Sequence, residues 1–406
     1  MWSHLFSLVA GSILILIASG VSNASGVGGG LLILPILYVV MRFYPNEAIP
    51  LSKVIIFFGS LAAFIQNIKL QRPGRNSKAF DYNIIILCSP NLLFGTALGI
   101  TLYGIIPITL IIILLGLLLV FYAYQTFNNY HFTFNEEINY GVMAYPNNDP
   151  TNLNPNNTGN NASANQVLSD EVNNIITNER YLFRWDKLQY VAIPYGIAVF
   201  IAFLRETFVS PCGLFYWMLI IIFAAVVIFY DYTGMKNVKG DFLYKNSINF
   251  PFDNKDIKWD NNTIYKLFIV SFAAGFLAGS VGIGGGVIIG PILANLAIYP
   301  VVCSVNTNVL VLINTSAVAM QFLFFNILNY SYGLITVISA AVGSFFTTMY
   351  VNKLILRTGK QSVIYLLLFS VVAVSAVILP LTSVIRLFSD LFNGREILYF
   401  NMECDP

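Results

Sequence analysis

The chain has 406 residues, of which 57% are hydrophobic and 10% charged, with a mean hydropathy of +0.73 and a net charge of +2. A soluble domain carries about 25% charged residues, so the composition excludes that class and leaves a multi-pass integral membrane protein with the lipid bilayer as its solvent. The net charge of +2 says nothing about nucleic acid, but no basic patch interleaves with aromatics and no nucleic-acid partner is expected; with His4 and His131 as the only histidines, no histidine-based metal site is expected either.

In chain order, Leu5–Ala24 is the first apolar segment. It looks like a signal peptide with small residues near Ala24, but its counterpart Tyr265–Gly282 lies deep in the chain, so it is expected to be retained. A glycine-rich break follows, then Leu31–Met41, which is shorter than the about 20 residues a crossing needs. Pro50–Asn67 is a span. Lys69–Asp81 is a polar loop carrying Lys69, Arg72, Arg75 and Lys78. Tyr82–Tyr103 and Ile105–Phe127 are two spans joined by an uncharged turn.

Asn128–Asp186 is an Asn-rich polar stretch whose composition cannot bury a core and which is expected to be a disordered loop. Leu188–Leu204 and Cys212–Tyr230 form a span pair, with Arg205 and Glu206 read as a loop pair between them. Asp231–Asn262 reads as a second polar loop. The last stretch holds Ile264–Gly279, a second break, Val287–Ile298, Val301–Phe325, Gly333–Val351 and Ser362–Leu381, and then a polar tail. The expected units are a first transmembrane repeat (1–127), the Asn-rich loop (128–186), a connecting span pair (187–233), a polar loop (234–262), a second transmembrane repeat (263–385) and the tail (386–406).

The division into repeats rests on a doubled motif. Ser19–Leu37 reads SGVSNASGVGGGLLILPIL and Gly275–Leu293 reads GFLAGSVGIGGGVIIGPIL. At an offset of 256 positions, Gly26, Gly28, Gly29, Gly30, Ile33 and Pro35 meet Gly282, Gly284, Gly285, Gly286, Ile289 and Pro291. One residue out of step, Tyr44-Pro45 meets Tyr299-Pro300, Ser52 meets Thr307, Lys53 meets Asn308 and Gln66 meets Gln321. Repeats of this length set the architecture. The fold expected is all-α, with two repeats, each holding a broken, re-entrant helix.

Lysine and arginine favour the cytoplasmic side of short loops. The two basic loops, Lys69–Lys78 and Lys353–Lys360, share a side only if each leading helix, break and short piece forms a V that makes no net crossing. Five spans then separate the motifs, and the repeats are inverted, a recurring design of secondary transporters. The Asn-rich loop is then cytoplasmic and its sequons at Asn156 and Asn161 unmodified, while the sequon at Asn329 faces outside.

Inside a bilayer, backbone amides must be satisfied by protein, ligand or a wet cavity. Glycine runs make a regular helix costly and allow close backbone approach to a ligand. A helix that restarts after a break aims free N–H groups and the positive end of its dipole at the gap, which favours an anion. Pro35 and Pro291 are expected in the first turns of the restarted helices, where a missing N–H does least harm. The competing account is tight helix packing, which small residues also serve.

The candidate substrate-binding residues are Gly28, Gly29, Gly30, Pro35, Ser52, Lys53, Gly284, Gly285, Gly286, Pro291, Asn306 and Thr307. Lys53 stands out because ionisable groups inside spans are costly and functional by default, with snorkelling to the interface as its alternative. Ser304, Asn308, Asn314, Thr315 and Ser316 add polar groups to the same span as Asn306, and Gln66 and Gln321 read equally as path-lining or interhelical groups. None of the four cysteines forms a C-x-x-C pair, and no carboxylate pair, Ser/His arrangement or Gly-x-Ser-x-Gly elbow lies in the spans. No enzyme activity and no cofactor is expected.

At these residues the chain resembles the TauE/SafE sulfite exporter-like permeases, also called the 4-toluene sulfonate uptake permease family. The resemblance is carried by Gly-x-Gly-Gly-Gly-x-x-x-x-Pro-x-Leu, present at Gly26–Leu37 and Gly282–Leu293. Asp81-Tyr82, Ser89-Pro90, Gly95, Gly99, Pro107 and Cys212-x-x-x-Tyr216-Trp217 look like the eukaryotic, plant-type branch. The resemblance implies a secondary carrier of small sulfur-containing anions such as sulfite or an organosulfonate, coupled to a proton or cation. The first break departs from the second in its leading residues, Asn23-Ala24-Ser25 against Gly279-Ser280-Val281, and Lys53 faces Asn308 across the repeat, so the half-sites are chemically unequal. A non-transporting receptor or scaffold, and an anion channel, are the alternatives.

Overall fold

The computed structural model describes residues 2–43, 45–73, 77–102, 108–139, 172, 174–175, 177–179, 184–208, 213–253, 255–296, 298–324 and 330–392. Among these the chain is helical, without strands. The sequons, the turn at 103–107, Cys212 and the tail lie outside the described residues.

The helices are α1 (Trp2–Ala24), α2 (Gly30–Pro35), a π-helical turn (Ile36–Val40), α3 (Pro45–Asn67), α4 (Tyr82–Leu102) and α5 (Ile108–Asn139), followed by α6 (Trp185–Phe208) and α7 (Leu214–Ser247). Then come α8 (Asn261–Val281), α9 (Gly286–Ala294), α10 (Pro300–Phe324), α11 (Tyr330–Thr358) and α12 (Ser362–Phe392). Among the described residues, 8 helices are long and apolar enough to cross a membrane. The short apolar pieces after both breaks are helical, as expected of half-length elements.

Several boundaries correct the sequence reading. Pro45, not Pro50, takes the first position of α3, where a residue without an N–H costs least. α5 continues past Phe127 to Asn139, and α7 past Tyr230 to Ser247, through half of what reads as a polar loop. Hydropathy marks where the apolar layer ends, whereas a helix continues while one face still packs. On the extended part of α7, Gly234 and Val238 are buried, and Asp241 pairs with Lys187 of α6. Arg205, read as half of a loop pair, lies inside α6 and is buried.

The prolines also differ from expectation. Pro35 and Pro291 are each the sixth residue of their helices, not in the first turn. There a proline removes an internal hydrogen bond. After Pro35 the ladder lengthens, and Met41 N bonds Ile36 O at 3.1 Å in the π-helical turn.

The two halves exchange partners. α1 packs on α11, α8 on α4, and α5 on α12. A Cβ on Gly343 of α11 would lie 2.1 Å from Leu16 O of α1, and one on Gly95 of α4 would lie 2.2 Å from Phe272 O of α8. Glycines here let backbones touch, the small-residue packing of membrane helices.

Both basic loops lie on one face of the bundle, as the charge bias requires. Asn67, ending α3, accepts a hydrogen bond from Asn352 of α11 at 3.0 Å. On the same face Arg72 pairs with Asp256 and Lys255 with Glu136. Glu137 beside it accepts the N–H groups of Gln361 and Ser362 and the Ser362 hydroxyl, capping α12.

Candidate functional site

The first break begins where α1 runs out of helical partners. Val27 N turns back to Ser22 O at 2.8 Å and Gly26 N to Asn23 O at 3.1 Å. Gly29, at φ 82°, occupies the left-handed region before α2, a conformation that a Cβ disfavours. The second break follows α8 in the same way: Gly282, at φ 84°, bonds Ala278 O at 3.1 Å. Ile288 and Ile289 N then reach Gly285 O to start α9.

The two breaks touch each other. A Cβ on Gly30 would lie 2.8 Å from Gly284 N and 2.9 Å from Ile283 Cα. One on Gly286 would lie 2.8 Å from Val27 O and 2.9 Å from Gly26 O. Ile56 of α3 and Val311 of α10, equivalent under the repeat, flank this contact: both would meet a Cβ on Gly284 at 3.3 Å. Val311 also closes over Gly28, and Leu92 of α4 over Gly285. Close backbone packing is therefore one job of these glycines.

Each half supplies polar groups to the other half's break. Lys53 of α3 is 1% exposed. Its Nζ donates to Ala278 O at 2.6 Å and to Ile283 O at 2.7 Å. It therefore caps the C-terminal end of α8, where the helix dipole favours a cation, and does not snorkel. Ser52 beside it donates to Ile49 O and, at 3.2 Å, to Gly282 O. In the other direction, Asn308 of α10 donates to Asn23 O at 3.3 Å and Ser304 to Ala24 O at 3.1 Å. Lys53 and Asn308 are repeat equivalents, so the cross-capping is shared while the chemistry differs.

The first break holds a hydroxyl and amide cluster of which the sequence reading offered Ser60 as a path-lining group and missed the rest. Asn23 Nδ2 donates to Ser19 O and Ser344 Oγ at 3.0 Å each, and Asn23 Oδ1 accepts from Ser60 at 3.1 Å. Ser19 and Ser344 hydroxyls lie 2.7 Å apart. Asn23 was visible only as a departure from the glycine motif. Ser344 sits in α11, far from the motif in sequence, and no local pattern marks it. Two buried atoms here, Ser22 Oγ and Asn308 Oδ1, have no hydrogen-bond partner. An unsatisfied buried polar atom costs about 1–3 kcal/mol, so such atoms mark where a polar guest would gain most.

The other candidates sit further out. Thr307 bonds Cys303 O within α10. Asn306 faces the loop, donating to Ala79 O at 3.1 Å and accepting Asp81 N at 2.8 Å. Pro35 and Pro291 are buried within α2 and α9. The breaks thus gather Gly28, Gly29, Gly30, Gly284, Gly285, Gly286, Ser52 and Lys53, while Asn306 ties the loop to α10.

The loop next to Asn306 carries buried ion pairs. Arg72 pairs with Asp81 at 2.6 Å and Asp256 at 3.0 Å. Burial alone would raise the Asp81 carboxyl, but Arg72 and the Asn83 N–H hold it below the usual carboxylate range. Burial likewise disfavours the Arg72 cation, and its two carboxylates more than offset this. These groups line a polar cavity of about 80 Å³ with Glu179, Lys187 and Lys245. Among the described residues, no group of three or more His, Cys, Asp or Glu could hold a metal ion.

Comparison with known proteins completes the description. The family model described as Sulfite exporter TauE/SafE matches residues 12–165. The chain is similar to "Sulfite exporter TauE/SafE family protein 1" of Arabidopsis thaliana, at 24% identity over 98% of this chain and 88% of that protein. It is similar to family proteins 5 and 2 of the same plant, at 22% and 24% identity, again over 98% of this chain and 88% of each. No solved structure matches it.

Proposed function

We propose that the chain is a membrane transporter of the TauE/SafE kind and a secondary carrier of a small sulfur-containing anion, sulfite or an organosulfonate; the family model over residues 12–165 and the similar plant proteins support this reading. The anion binds between the two glycine breaks. The observation that carries this reading is the cross-capping: each break is held by a buried polar side chain from the opposite half, Lys53 on one and Asn308 on the other.

The contacts support inverted repeats. A Cβ on Gly11, midway along α1, would meet Met41 just beyond the π-helical turn at 2.5 Å, so the first broken helix folds back on itself. α1 runs parallel to α11, which ends at the basic face. The first V then opens away from that face. The second opens towards it, since Asn295 at the end of α9 bonds Asn129 of α5 at 3.0 Å, near Glu136. Two Vs from opposite sides that meet near the middle allow alternating access by rocking one half against the other. Breaks in contact fit a closed state of that cycle.

An anion between the breaks gains from the Lys53 ammonium, from the amides at the start of α9, and from the Ser22 hydroxyl. Sulfite is the first candidate because the relatives carry it in their printed names. The test is uptake of radiolabelled sulfite and sulfate by liposomes holding the purified protein, with and without an imposed proton gradient. Saturable sulfite uptake that responds to the gradient is expected. Absence of uptake for sulfite, sulfate and an arylsulfonate alike, from folded protein, overturns the reading.

A further inference from the structure

α10 carries a second set of polar groups one turn beyond the contact between the breaks. Asn314 lies three residues after Val311, is fully buried, and accepts the Thr96 hydroxyl of α4 on Oδ1 at 2.7 Å. Its Nδ2 has no hydrogen-bond partner. An amide that donates nothing in an apolar interior is costly, and this one lines a cavity of about 40 Å³.

The same cavity is lined by Arg205 of α6 and Gln321 of α10, with Ile220 and Phe223 of α7 as apolar walls. Arg205 is 5% exposed; it donates to Thr101 at 2.8 Å and its guanidinium stacks 5.2 Å from the centre of the Tyr216 ring. Thr101, Arg205 and Gln321 end the apolar parts of α4, α6 and α10, so the cavity lies towards the face away from the basic loops. Small-ligand sites have this make-up, mostly apolar walls with a few placed polar groups.

We propose that this cavity is an anion port: a binding site for a small inorganic oxyanion on the far side of the second break, held by the Arg205 guanidinium and the Asn314 and Gln321 amides. Its volume admits about three water-sized groups, at about 10–15 Å³ each, which suits an anion of sulfite size and not an arylsulfonate. Thr96 joins the port to the second break, because its hydroxyl oxygen also lies 3.1 Å from Gly275 O of α8, and Leu92 one turn before it closes over Gly285. The assignment of sulfite as probe rests on the carrier reading; the site itself rests on the cavity.

The test is equilibrium dialysis of the purified full-length protein in detergent against [35S]sulfite under nitrogen. Asn314→Asp keeps the shape and the Thr96 bond but replaces the donor with a negative acceptor. Arg205→Gln removes the charge, and Arg205→Lys keeps it. Asn314→Asp and Arg205→Gln are expected to weaken sulfite binding at least about tenfold, with Arg205→Lys within about threefold of the unaltered protein and melting temperatures in detergent preserved. Binding that is unaltered in the first two variants overturns the proposal and leaves the cavity to a buried water only. Loss of binding in these variants alongside no sulfite flux in liposomes keeps the port and removes the carrier reading; flux with unchanged binding does the reverse.

Discussion

Lys53 Nζ lies 2.6 Å from Ala278 O, so α3, in the half that holds the first break, grips the last turn before the second. The pair spans 225 residues of sequence and joins the two halves at the point where they must part in any alternating-access cycle. Lys53→Met keeps the length of the side chain and removes the three donors. Ala278 O keeps its bond from Gly282 N, while Ile283 O loses the Lys53 donor. The expected cost is about 1–3 kcal/mol, seen as a lower melting temperature in detergent without loss of expression.

The glycines of the second break should differ sharply from one another. Gly286→Ala places a Cβ 2.5 Å from Val311 Cγ2 and 2.8 Å from Val27 O. Gly284→Ala comes no closer than 3.3 Å, to the Ile56 and Val311 side chains, with Val27 O at 3.7 Å. Overpacking costs about 1–3 kcal/mol, so Gly286→Ala is expected to lower the melting temperature clearly and Gly284→Ala to change it little. Equal effects from the two would mean that the breaks do not touch as described.

Ser22 offers a separation of stability from binding. Its hydroxyl has no partner, so Ser22→Ala should leave the melting temperature unchanged or slightly raised. If the anion meets this hydroxyl, the KM for sulfite uptake rises several-fold while protein level stays constant. An unchanged KM removes Ser22 from the site.

The loop ion pair makes stability depend on pH. Because Arg72 holds the folded Asp81 carboxyl below its ordinary value, the contribution is fully present above about pH 4, the usual unfolded range, and is lost as pH falls through the folded value. Asp81→Asn should therefore melt lower than the unaltered protein at pH 7, and the gap should close as pH falls below about 4. A gap that is independent of pH would mean that the Asp81 charge is not its source.

Much of this was legible in the sequence because it follows from repetition and hydropathy. The doubled Gly-x-Gly-Gly-Gly located both breaks, and the sum of apolar stretches located the spans. The one-residue shift set Lys53 opposite Asn308 and marked the half-sites as unequal, but not that each caps the opposite break. What stayed hidden depends on tertiary contact. Ser344 joins Asn23 only because α11 packs on α1, and Arg205 looked like a loop residue because its charge interrupts the hydropathy and not the helix. The ends of α5 and α7 were missed for a related reason: hydropathy reports the bilayer, while helix length reports packing beyond it.

The central claim is that the Lys53 contact is part of the transport site and not only a brace. The direct measurement is the initial rate of sulfite uptake by Lys53→Met in liposomes, divided by the amount of folded protein, against the unaltered chain. The account predicts a loss of at least about tenfold, as expected when one charged hydrogen bond of about 1.5–3 kcal/mol to the anion is removed. Uptake per folded molecule equal to that of the unaltered chain would contradict it and leave Lys53 as a cap on α8 alone.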